Sequence, residues 1–136
     1  MKTKEEIAKI ASEYYQSGYN CCQAVALAYI DILDISQENL LKMTSSFGGG
    51  MGKMGEVCGA VSGMFTVLGL LEGKVDPKNA SAKMEHYAKV RLLADKFIKR
   101  NGALRCKDLL MDGNKKKCAV LVSDCAEILY DYLYNN

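Results

Sequence analysis

Six cysteines in 136 residues carry most of the chemistry in this chain: Cys21, Cys22, Cys58, Cys106, Cys118 and Cys125. A cysteine acts as nucleophile or metal ligand through its thiolate, so the useful question is which of them are set up to lose a proton. Apart from the adjacent pair Cys21 and Cys22, they lie far apart, and no C-x-x-C occurs. That removes the thioredoxin-like motif and the common zinc knuckles. Cys21, Cys22, Cys58 and Cys118 all fall in predicted first turns of helices. Cys106 sits between Arg105 and Lys107, and Cys118 follows the lysine run 115–117. Helix N-termini and basic neighbours both favour thiolate. Cys125 instead lies mid-helix on an apolar face and reads as a small buried hydrophobe. It is about 10 Å along the axis from Cys118, too far for a direct disulfide.

The element that must position these thiols is the stretch from Phe47 to Gly73. It opens on a glycine-rich turn, passes Cys58, and runs uncharged from Val57 to Leu71. Such a run is short of the roughly 20 apolar residues a membrane span requires and too long for an ordinary strand, so it predicts a buried central helix. Gly59 and Gly63 stand four apart on one face, which a neighbouring helix, or a ligand or cofactor, can approach closely. With Gly55 as cap, Cys58 falls at the third helical position, where free N–H groups and the helix dipole are expected to bring its thiol from about 8.5 toward neutrality. This makes Cys58 the expected most reactive thiol.

The remaining elements read as helices. Thr3 with Glu6, and Asn20 with Gln23, have capping-box spacing. The first helix stops near Gly18 and the second runs to about Leu33. A third is predicted from Ser36 to Ser46 with Leu40, Met43 and Phe47 inward. Asp76-Pro77 opens a long fifth helix ended by Asn101-Gly102, with Tyr87, Val90, Leu93, Ala94 and Phe97 on its apolar line. The last helix places Cys118, Leu121, Val122, Cys125, Leu129 and Tyr132 on one face. With one proline, no repeat and no linker, residues 1–136 form a single all-α domain, a compact bundle of about six helices around the buried central one. A net charge of +2 does not imply nucleic acid. The N-terminus lacks a secretory h-region and nothing is long enough for a membrane span, so a cytoplasmic, reducing setting is expected. Gly50-Met51-Gly52-Lys53-Met54-Gly55 matches G-x-G-x-x-G only formally, since a helical stretch precedes it. Such a loop, with Lys53, is still suited to forming an anion-binding nest. His86, the single histidine, and the seven methionines read as structural.

Taken together, Asn20-Cys21-Cys22-Gln23-Ala24-Val25, Phe47-Gly48-Gly49-Gly50-Met51-Gly52, Cys58-Gly59-Ala60-Val61-Ser62-Gly63, Cys106 and Cys118 resemble the redox-active proteins named by the cysteine pattern C_GCAxxG_C_C. The resemblance runs over nearly the whole chain, and C-G-A-x-x-G is its most specific part. It implies Cys21, Cys58, Cys106 and Cys118 as the family cysteines, with Cys125 an alternative fourth, and it supplies a class without a reaction. Three readings follow. The four thiols cycle between dithiol and disulfide or carry electrons, with a redox partner protein or a small oxidant or reductant. Alternatively the same four ligate a metal ion or iron–sulfur cluster, although such sites commonly draw on a close cysteine pair. In the third, the cysteines are core in a structural, partner-binding protein, and helix starts are not where core cysteines are expected. Homo-oligomerisation and an enzymatic turnover are left open by the sequence.

Overall fold

The local caps set most of the architecture. In the computed structural model, which describes every residue except Lys115 and Asn136, α1 spans Lys4–Gln16 and α2 spans Cys21–Ala28. Both begin with complete capping boxes: Thr3 with Glu6, and Asn20 with Gln23. A 3-10 turn covers Ile30–Ile32, so the second helix ends earlier than the apolar pattern suggested. α3 (Gln37–Met43) is capped by Ser36. α4 (Gly59–Glu72), α5 (Ala80–Asn101), α6 (Cys106–Leu109) and α7 (Lys117–Tyr134) complete seven helices among the described residues, with no strand. The all-α expectation holds, with one short helix more than the six foreseen. Part of the expected lysine run, Lys115, lies outside the described residues.

α4 is the centre of the bundle. Its first six residues, Gly59 to Met64, are buried, as are Val67 and Leu68. The closest partner of α4 is α2, while α1 packs extensively against both α7 and α2. Gly63 explains the first contact: a Cβ there would lie 2.7 Å from the Cys22 carbonyl oxygen and 3.0 Å from Val25 Cβ. The bare glycine face therefore receives another helix, and Gly63 serves that packing. From α7, Leu121, Val122, Cys125, Ala126, Ile128 and Leu129 enter the same continuous core.

Three details depart from the sequence pattern. Met43 is exposed and Phe47 half-buried, because α3 ends at Met43 and leaves only Leu40 fully inside. α5 begins after Asn79, whose side chain accepts from the Ala82 N–H, while Asp76 caps a local turn by accepting from the Lys78 N–H at 3.0 Å. Along α5 only Leu93 and Phe97 are fully buried, and Tyr87 faces solvent. Finally, Gly49, Gly50, Met51, Gly52 and Lys53 all have positive φ, between 60° and 72°. This is a left-handed turn, which L-residues resist at about 1–2 kcal/mol each, so the cost falls on Met51 and Lys53. Backbone bonds hold it closed: Met51 N–H to Phe47 O at 3.2 Å, Lys53 N–H to Gly48 O at 3.1 Å and Glu56 N–H to Gly50 O at 2.9 Å.

Candidate functional site

Four separate segments bring Cys21, Cys58, Cys106 and Cys118 to the lining of one open pocket of about 1140 Å³. Cys21 is the first residue of α2, placed there by the Asn20 cap. Cys58 is the N-cap residue of α4, three positions earlier in helical register than expected, since Gly55 belongs to the preceding turn. Cys106 opens α6 and Cys118 is the second residue of α7. Cys58 and Cys106 are held on neighbouring strands of backbone. Val57 and Arg105 form an isolated antiparallel bridge, with Cys58 N–H donating to Leu104 O at 2.8 Å and Cys106 N–H to Glu56 O at 2.6 Å. The left-handed turn closes over this bridge. At Gly50 (φ +72°) a Cβ would lie 2.7 Å from Cys106 Cβ, so glycine is needed both for the conformation and for the space. Gly59 plays the matching role on the other side, with Phe47 O 2.8 Å and Cys21 Sγ 3.3 Å from where its Cβ would be. Of the two glycines expected to face a ligand, Gly59 lines the pocket and Gly63 lies behind it against α2.

The electrostatics reverse the expectation for Cys58. Its side of the pocket is deep, with 4% of the residue exposed, and burial pushes the thiol up to about 11. The Ala60 and Val61 N–H groups at the start of α4 pull the other way without winning, and Cys106 and Cys118 push it further up. Desolvation of a thiolate outweighs the dipole of the helix that follows it. Burial also raises the Cys106 thiol, with Cys118 adding to the rise. Its basic neighbours do not prevent this: Arg105 is drawn to Glu56 at 3.5 Å, and the exposed Lys107 stays in solvent at the pocket rim. Cys22, fully buried outside the pocket, is pushed up to about 12 by burial, and Cys125 is raised well above the ordinary range by the same cause.

Cys118 stands at the centre of a different arrangement. Hydrogen bonding to Cys118 is the largest cause that raises the Cys21 thiol, followed by burial, against an opposing contact from the Gly49 N–H. Burial and then hydrogen bonding to Cys118 raise the Tyr15 hydroxyl. Cys21 and Tyr15 are thus both hydrogen-bonding neighbours of Cys118, and the contact raises each of them. Because a charge on any one of these sulfurs raises its neighbours, the pocket favours a single thiolate at a time. Tyr15 does not stand out in the sequence. Its signal is positional: it sits in the last turn of α1, just before the Gly18 turn that delivers Cys21.

Among the described residues, no three His, Cys, Asp or Glu side chains are arranged to hold a metal ion. Among the described residues no two cysteines are joined by a disulfide. No helix among the described residues is long and apolar enough to cross a membrane.

Fold and site together define an all-helical protein whose helix starts deliver thiols to a shared pocket. The chain belongs to the C_GCAxxG_C_C family, described as "Putative redox-active protein", which matches residues 19–132 and so takes in all six cysteines. It is also 28% identical to an uncharacterized protein of Archaeoglobus fulgidus, over 94% of this chain and 93% of that one. No solved structure matches it significantly.

Proposed function

We propose that this protein is a dithiol–disulfide exchange protein in which Cys118 attacks and Cys21 resolves. The observation that carries the reading is that Cys21 and Tyr15 are both hydrogen-bonding neighbours of Cys118 within the cysteine-lined pocket. Two such neighbours stabilise negative charge on Cys118, as does its place in the first turn of an 18-residue helix. The hydrogen-bonded neighbour is then the natural second sulfur, because a disulfide requires close, facing cysteines. Cys58 and Cys106, seated across the same bridge, form a second dithiol that can pass a disulfide on to the first pair. The partner is a small oxidant or reductant, or a redox protein, acting in a reducing compartment such as the cytoplasm.

The test is mild oxidation of anaerobically purified protein, followed by a thiol count and peptide mapping. Loss of two thiols with a Cys21–Cys118 disulfide is expected, and Cys118→Ser should abolish it. Iron or zinc near one per chain, or no change in thiol count, overturns the reading.

A further inference from the structure

The charge inventory of the pocket is one-sided. Among the described residues, its only charged lining side chains are Lys53 and Lys107, and none lends it a carboxylate. The nearby carboxylate of Glu56 is engaged by Arg105 at 3.5 Å. Neither Lys53 nor Lys107 has a carboxylate partner among the ion pairs of the described residues. Asn20 and Tyr19 add neutral hydrogen-bonding groups to the lining. The first turns of α2, α4 and α7 open onto the same space, adding three positive dipole ends to the two ammonium groups. A cavity of about 1140 Å³ has room for a small organic molecule and its shell of water.

Resting on the exchange reading above, we propose that the substrate is a small disulfide bearing carboxylates or comparable anionic groups, held by Lys53 and Lys107 with its sulfurs toward Cys118. The Cys118 thiolate attacks one substrate sulfur, the substrate S–S bond breaks, and one half leaves as a thiolate that takes a proton from water. The Cys21 thiol then gives up its proton to water and attacks the Cys118 sulfur. This forms the Cys21–Cys118 disulfide and releases the second half as a thiolate, which takes a proton from water. Two electrons pass from the protein dithiol to the substrate, and a reducing dithiol restores the protein.

The experiment compares three disulfides with fully reduced protein: dithiodipropionate (anionic), bis(2-hydroxyethyl) disulfide (neutral) and cystamine (cationic). Each rate is divided by that of free mercaptoethanol with the same disulfide, which removes intrinsic reactivity. The anionic compound should react about tenfold or more faster than the neutral one at low salt, with the cationic one slowest. The preference should shrink in 0.5 M NaCl, and in the Lys53→Gln/Lys107→Gln double variant the anionic-to-neutral ratio should fall toward one. Equal normalised rates, a cationic preference, or a ratio indifferent to both salt and the double variant would overturn the substrate class. Failure to react with all three disulfides would instead overturn the exchange reading itself.

Discussion

Cys21 and Cys118, from the first turns of two different helices, share a hydrogen bond that is the largest cause raising the Cys21 thiol. This divides the labour among thiols that composition alone would treat as equal. It also ties reactivity to tertiary structure, because neither residue has its partner nearby in the chain.

Reactivity should follow that division. On reduced protein at pH 7, mass-mapped alkylation should label Cys118 and Cys106 first, Cys58 slowly, and Cys22 and Cys125 last. With its thiol pushed up to about 11, Cys58 should speed up about tenfold per pH unit across the alkaline range. Preferential labelling of Cys58 at neutral pH would restore the dipole-dominated view of that residue.

Removing the hydroxyl in Tyr15→Phe takes one donor from Cys118 while leaving the ring in place. A hydrogen bond to an ionised group contributes about 1.5–3 kcal/mol, so Cys118 alkylation at pH 7 should slow roughly tenfold. Thermal stability should change little, which separates this effect from damage to the fold. An unchanged Cys118 rate would remove Tyr15 from the site.

Stability should fall at alkaline pH. Burial holds Cys58 at about 11 and Cys22 at about 12, whereas unfolded thiols ionise near about 8.5. A raised acid binds its proton more tightly in the folded state. Its contribution is therefore complete below about 8.5 and is lost as pH climbs to about 11–12, at about 1.4 kcal/mol per pH unit for each group. Urea titrations under reducing conditions at pH 7.5, 9 and 10 should show the loss, and Cys22→Ala should have a shallower dependence than wild type.

Two glycines of α4 offer a paired test. Gly63→Ala forces a methyl to 2.7 Å from the Cys22 carbonyl oxygen and should destabilise by about 1–3 kcal/mol, since α2 must move away. Gly69→Ala meets nothing within 4 Å and should stabilise by up to about 1 kcal/mol. Chemical denaturation of both variants decides it, and similar shifts in the two would mean that α2 and α4 do not pack through Gly63.

What the sequence made legible was mostly local. The capping boxes at Thr3 and Asn20 act within four residues, and both helices start where they indicate. The apolar face of α7 is periodic and is buried as its spacing implies. The start of α5 was misplaced because Asp76-Pro77 and Asn79 both carry cap chemistry, and only packing chooses between them. At the pocket, Cys21, Cys58, Cys106 and Cys118 stood out as a set. The bridge between Val57 and Arg105, the left-handed turn and the depth of Cys58 did not, because each depends on segments that meet only in three dimensions.

The spread of the pocket across the chain has a consequence for biosynthesis. A ribosome delivers Cys21 and Cys58 long before Cys118, and α1 must wait for α7 as its principal partner. Until α7 docks, Cys21 lacks its hydrogen-bonding neighbour, and six cysteines allow 15 complete pairings. The nascent chain therefore lacks the Cys21–Cys118 pair, and these two thiols acquire separate identities only once α7 has been made.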